Sequence, residues 1–240
     1  MLDLTQLDKI LFLDIETVPE VYRFADVDTS TAKLFESKNM RYKTEDKTFD
    51  QVYDEKAGIY AEFGKIVCIS VGFVRSTATG RMIYIKSYAH DDEETLLRQF
   101  VRLLEDSYNT PDKRLCGHNS KEFDIPFICR RLLINGIALP NVLNLAGKKP
   151  WEIQHLDTME LWKFGDYKAY TSLALLCNVF KIPTPKDDIS GADVARVYYE
   201  ENDLERIKIY CEKDVIALIQ LFLRMNGEQL IDEGNITIKD

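Results

Sequence analysis

An α/β fold with a mixed central sheet is predicted by three features of the sequence. Ile10-Leu11-Phe12-Leu13 is an unbroken apolar run, the pattern of a strand buried on both faces in the middle of a sheet flanked by helices. Lys65–Val74 and Met82–Ile85 are β-rich runs joined through the turn Thr77-Ala78-Thr79-Gly80. No helix fits between them, so part of the sheet must be antiparallel. Segments with helical spacing come between and after these runs, which places helices against the sheet.

The bulk properties agree with one well-filled core. The chain has 240 residues, 45% of them hydrophobic and 30% charged, and its formal net charge is −9. That length can bury a full core with a long insertion, giving one domain over residues 1–240 with residues 20–62 as the variable part. A net negative charge argues against a broad basic footprint for nucleic acid. It leaves room for a nucleic-acid enzyme, because bound cations and a local basic rim offset acid at one site. Cys68, Cys116, Cys129, Cys177 and Cys211 are scattered, with no C-x-x-C pair, and read as reduced thiols of a cytoplasmic protein. No secretory pattern and no stretch long enough to cross a membrane is present. His90, His118 and His155 lack the spacing of zinc ligands. P-loop, dinucleotide-binding and nucleophile-elbow motifs are absent.

The first strand runs straight into Asp14-Ile15-Glu16-Thr17. Side chains alternate along a strand, so Asp14 and Glu16 point the same way. Two carboxylates at the end of a buried strand repel each other and are costly to desolvate, and a divalent cation removes that cost. Oxygen ligands of this kind suit magnesium or manganese. By itself a D-x-E pair is more often a strand that ends in polar residues facing water.

Residues 20 to 64 form a polar, tyrosine-bearing segment in which Ser30–Ser37 and Phe49–Tyr60 are each expected to be helical. A segment of this length after a candidate site is a lid or a substrate-facing insertion, or it simply packs over the sheet. Asp91-Asp92-Glu93-Glu94 opens a helix with acids in the first turn, and Leu96, Leu97, Phe100, Val101, Leu103 and Leu104 have helical spacing. Leu115-Cys116-Gly117 ends a short strand. His118-Asn119 follows and leads through Phe123-Asp124-Ile125-Pro126 into a helix that stops at Asn135-Gly136. Taken alone, Asp124 reads as an ordinary capping aspartate. Trp151–Thr158 is expected to be a strand or edge segment, with Asp157 capping the next turn rather than acting in catalysis. Thr171–Phe180 is a capped helix, and Ile182–Asp188 a loop. Asn202-Asp203 caps the last long helix, Leu204–Met225, whose core stripe is Ile207, Cys211, Val215, Leu218 and Phe222. Tyr210 and Asp214 share a face beside that stripe. By itself Asp214 reads equally well as a partly exposed acid bonded to Lys or Arg.

In order, Leu13-Asp14-Ile15-Glu16-Thr17, then Gly117-His118-Asn119 through Phe123-Asp124-Ile125-Pro126, then Tyr210-Cys211-Glu212-Lys213-Asp214 resemble the three motifs of the DEDD superfamily of 3′–5′ exonucleases. The tyrosine places the chain with the tyrosine subgroup. The second motif is similar to that of family-B DNA polymerase proofreading domains, and the chain most resembles stand-alone bacterial proteins regarded as predicted exonucleases related to that domain. The similarity runs from about Lys9 to Arg224.

The resemblance implies a ribonuclease-H-like three-layer fold, with a mixed five-stranded sheet and helices on both faces. It implies two divalent cations, Mg2+ or Mn2+, about 4 Å apart. Asp14 would bridge both ions, Glu16 and Asp214 would complete the site holding the attacking water, and Asp124 would serve the second ion. Tyr210 would orient the nucleophile, because a tyrosine with an ordinary pKa of about 10 is a poor general base. Thr17 and Asn119 would contact the terminal nucleotide. Tyr170 and Phe123 could stack on bases, although Phe123 suits the core better. The expected activity is release of 5′-mononucleotides from a nucleic-acid 3′ end, with single-stranded DNA as the substrate and a polymerase or repair partner left open. An RNA-directed exonuclease and a non-catalytic binding module on the same fold are the alternatives.

Overall fold

The structure, a computed structural model, describes residues 4–78, 80–166, 170–183 and 189–239. Thr79 of the expected turn and residues 184–188 of the expected loop lie outside the described residues. Six strands form one mixed sheet in the order β5-β4-β1-β2-β3-β6. Strand β1 (Ile10–Pro19) lies inside it, antiparallel to β2 (Gly64–Thr77) and parallel to β4 (Arg114–Gly117). Strand β2 pairs antiparallel with β3 (Gly80–Ala89), as the short connection requires. The expected Trp151–Thr158 strand shrinks to β5 (Leu156–Asp157), because Pro150–Glu152 turns as a 3-10 helix. The sheet has one strand more than expected. Strand β6 (Ile236–Lys239) adds parallel to β3, its alternating β-branched residues covering an edge that would otherwise be open.

Alternation along β1 assigns its two faces. Leu11, Leu13 and Ile15 pack in a core with α3 (Glu93–Ser107) and α4 (Asp124–Ile134). Phe12 faces the other way and meets Phe222 of α8 (Leu204–Met225) edge to face at 5.2 Å. The sheet is thus the middle of three layers. Gly72 lets α8 come close: a Cβ there would lie 2.7 Å from Ile85 Cδ1, 2.8 Å from Ile219 Cδ1 and 2.9 Å from Val215 Cγ1.

The insertion holds α1 (Thr29–Asn39), which covers the first expected helix, and α2 (Phe49–Lys56), which ends four residues short of the expected Tyr60 because Ala57–Ile59 tightens into a 3-10 turn. Thr48 and Gln51 close a capping box on α2. Phe35, Val52, Tyr53, Ala57 and Phe63 give the segment a small core of its own. Its start is fastened beyond the end of β1 by Tyr22, which stacks on Tyr199 at 4.7 Å and donates to Glu200 at 2.6 Å. Tyr199 in turn donates to the Pro19 carbonyl at 2.6 Å.

One buried ion pair, not foreseen in the sequence, joins these layers. Arg131 of α4 and Glu93 of α3 are 4% and 7% exposed at the side chain, and Arg131 Nη2 reaches Glu93 Oε2 at 2.5 Å. Arg131 also donates to the Ala61 carbonyl, and Glu93 accepts the Ile66 amide, so both charges are enclosed by further hydrogen bonds. No helix among the described residues is long and apolar enough to cross a membrane.

Candidate active site

Four carboxylates and a tyrosine from three elements converge beside the C-terminal half of β1. Asp14 and Glu16 project toward α8, opposite to Leu13 and Ile15. The register of β1 on β2 shifts between Glu16 and Thr17, an irregularity of the kind that re-aims side chains, and the pairing then continues to Pro19 opposite Gly64. Cys211 of α8 packs against Asp14, its thiol 3.5 Å from Asp14 Oδ2 and 3.5 Å from the Asp14 carbonyl. Ligand atoms of Asp14, Glu16 and Cys211 all lie within 4.8 Å of one another.

Asp124 is the first residue of α4 and is 4% exposed. It is not a cap, the reading its local sequence alone favoured. Phe123 holds the N-cap position without a side-chain bond, and Asp124, one residue later, turns its carboxylate toward the Ile15 amide of β1. Tyr210 and Asp214 are half-buried on the face of α8 that flanks Cys211, and the Tyr210 hydroxyl bonds to Asp214.

The charges register one another. Burial, then the charges of Asp124 and Asp214, push Asp14 well above the usual carboxylate range. Burial, then Asp14 and Asp214, do the same to Glu16. Burial raises Asp124 to about 7. Burial and the neighbouring acids also raise Tyr210, so its hydroxyl keeps its proton and acts as a donor. No described residue donates a hydrogen bond to the Glu16 carboxylate, although Glu16 is only 7% exposed. Acids that repel one another at a buried strand and a ligand set dominated by oxygen fit a hard divalent cation. Asp14, Glu16, Asp124 and Asp214 are the residues that could hold such ions.

The loop that delivers Asp124 is built on a second set of contacts. Gly117 cannot be any other residue without rearrangement, since a Cβ there would lie 2.3 Å from Ser120 Cβ. Asn119 has φ of +65°, a conformation that Asn tolerates better than most residues. Asp157 accepts the amides of Asn119 and Lys121 while capping α5 (Thr158–Lys163), as expected, through Met159 and Glu160. His118 donates from Nε2 to the Thr171 carbonyl at 2.8 Å and meets Thr158 Oγ1 through Nδ1 at 2.9 Å; burial lowers its pKa, which favours that neutral form. Thr17 and Asn119 are half-buried at this end of the sheet. Phe123 leans on Phe127 with ring centroids 5.6 Å apart, which is core packing, and Tyr170 is 72% exposed. The sequence reading placed Cys211 only in the core stripe. Its position directly after Tyr210, on the turn of α8 that crosses β1, was the available signal.

A family model described as a predicted 3′–5′ exonuclease related to the exonuclease domain of PolB matches residues 59–235. The match includes Asp124, Tyr210 and Asp214, and β1 with Asp14 and Glu16 lies ahead of it. Among solved structures, the family B DNA polymerase of the hyperthermophilic archaeon Pyrobaculum calidifontis superposes with a TM-score of 0.51 at 14% identity, over 94% of this chain and 27% of that one. The chain therefore spans about a quarter of the polymerase, and the likeness is one of fold. The RNase domain of the yeast Pop2 protein aligns over 94% of this chain and 83% of its own, at 11% identity and a TM-score of 0.40. No curated protein matches the chain.

Proposed function

Because the chain belongs to the family of predicted 3′–5′ exonucleases related to the exonuclease domain of PolB, we propose that it hydrolyses nucleic acid from the 3′ end to 5′-mononucleotides, with single-stranded DNA as the substrate. The observation that carries this reading is the convergence of Asp14, Glu16, Asp124 and Asp214 with Tyr210 beside the end of β1. A binding module on the same fold gains nothing from buried acids held in mutual repulsion, a cost that bound cations would relieve.

In this reading the four carboxylates bind two Mg2+ or Mn2+ ions. Held there, the ions would supply activation of a water and stabilisation of the leaving 3′ oxygen. Tyr210, kept protonated by its acidic surroundings, donates to the nucleophile and orients it. Thr17 and Asn119 contact the terminal nucleotide. Asp157 and His118 act at one remove by fixing the loop from Gly117 to Asp124. Residues 1–240 act as one exonuclease domain with residues 20–62 as an insertion. All five cysteines are free, in keeping with action in the cytoplasm.

The test is a digestion panel of end-labelled DNA and RNA strands, each blocked at one terminus. Mononucleotide release from DNA with a free 3′ end, and none when that end is blocked, is the expected result. Cleavage of a covalently closed single strand would replace the exonuclease with an endonuclease, and preference for RNA would change the substrate class.

A further inference from the structure

We propose that the sheet face away from the carboxylates carries a docking groove for an acidic peptide with one apolar anchor residue. The groove lies on the α3 side of the sheet, between β2, β3 and the C-terminal end of α3, where α3 no longer covers the strands. It is a cavity of about 340 Å³ with Val71, Phe73, Tyr84 and Leu103 among its lining residues. That size suits one aromatic or aliphatic side chain with part of its backbone.

The rim decides the occupant. Lys86, Lys113 and Lys239 line the groove, and each lies over a tyrosine ring: Lys86 over Tyr88 at 5.7 Å, Lys113 over Tyr108 at 5.3 Å and Lys239 over Tyr84 at 5.3 Å. None of the three forms a salt bridge with a described residue. In a chain of net charge −9, three such lysines against one acid of the lining, Asp8, are a local reversal of charge around this largely apolar cavity. A partner that brings carboxylates to the rim and an apolar side chain to the floor satisfies both features.

The same geometry disfavours a nucleic-acid strand. Base stacking needs a free ring face, and Tyr84 is already stacked on Phe73 at 5.2 Å and has Lys239 Nζ 5.3 Å from its ring centre. Asp14 and Glu16 also project to the opposite face, so a strand threaded into the active site does not pass over the groove.

The probe is a fluorescein-labelled peptide with four aspartates around one phenylalanine, titrated with the full chain and read by fluorescence anisotropy. Lys86 and Lys239 are exposed, so a Lys86→Glu, Lys239→Glu variant leaves the core intact. The groove predicts saturable binding, loss of at least about tenfold in affinity in that variant, and a similar loss when alanine replaces the phenylalanine of the peptide. Three results overturn it: no binding of the peptide, binding that ignores both changes, or displacement of the peptide by an oligothymidylate that binds through the same lysines. Peptide-free self-association that the charge reversal abolishes would assign the groove to a second copy of the chain and overturn the peptide as well.

Discussion

Asp157 accepts the Asn119 amide at 2.9 Å, so a carboxylate outside the proposed metal set fixes the loop that delivers Asp124. Its two oxygens receive four backbone N–H groups, from Asn119, Lys121, Met159 and Glu160. Asp157→Ala leaves all four without that acceptor and should cost about 2 kcal/mol or more, since a lost cap and a stranded buried donor each cost on that order. Asp157→Asn keeps one oxygen and turns an NH2 toward another donor, so its melting temperature should fall between those of the parent and the Ala variant. Thermal unfolding of the three proteins checks the order.

Arg131 and Glu93 make the second structural prediction. Arg131→Met strands the Glu93 carboxylate in the core and should destabilise by about 3–5 kcal/mol. Glu93 accepts the Ile66 amide as well, so a Glu93→Gln, Arg131→Met double variant should recover part of that loss. Denaturant unfolding of the single and double variants measures the coupling.

Stability should depend on pH in a way that divalent cations reverse. Asp14 and Glu16 sit well above the usual range and Asp124 near 7, whereas unfolded carboxylates titrate near 4. Between these values the folded chain binds more protons than the unfolded one, so the stability contributed by these groups is full below about pH 4; that of Asp124 is lost as the pH rises through about 7, and that of Asp14 and Glu16 is lost over their own raised range. Ions that bind the ionised site oppose the loss. The increase in melting temperature on adding Mg2+ or Mn2+ should therefore be small near pH 5 and larger near pH 8, as scans with metal and with chelator will show. An equal increase at both pH values would remove these three groups from the metal site.

Tyr210→Phe and Asp214→Asn should differ in kind although they share a face of α8. Loss of the Asp214 charge should lower ion occupancy and slow cleavage by several decades. Loss of the Tyr210 hydroxyl leaves every proposed ligand in place and should cost roughly 10²–10³-fold in rate, the scale of a single lost donor at an active site. Metal titration with single-turnover kinetics separates them; equal loss of metal binding in both would contradict the orienting role of Tyr210.

Local rules made the frame of this site legible. Strand alternation put Asp14 and Glu16 on one side, an Asn-Asp cap and a core stripe outlined α8, and a connection too short for a helix made β2 and β3 antiparallel. The failures came where tertiary contact overrides local pattern. Asp124 taken alone looked like a cap, and only the motif resemblance put it in the metal set, because caps and first-turn acids differ by one residue and only the approach of α4 to Ile15 distinguishes them. Strand β6 has four residues and little signal of its own, and the edge of β3 stabilises it. Arg131 and Glu93 are residue types expected at the surface, and 38 positions separate them, so nothing local marks their pairing.

The central claim is that the four carboxylates bind the ions on which cleavage depends. The direct measurement is Mn2+ binding, followed by electron paramagnetic resonance, beside cleavage of a 3′-labelled single strand in the same samples. The parent chain should bind Mn2+ and cleave, and Asp14→Asn and Glu16→Gln should lose both while remaining folded. Full cleavage by the parent chain in excess chelator, or by either variant without bound Mn2+, would contradict it.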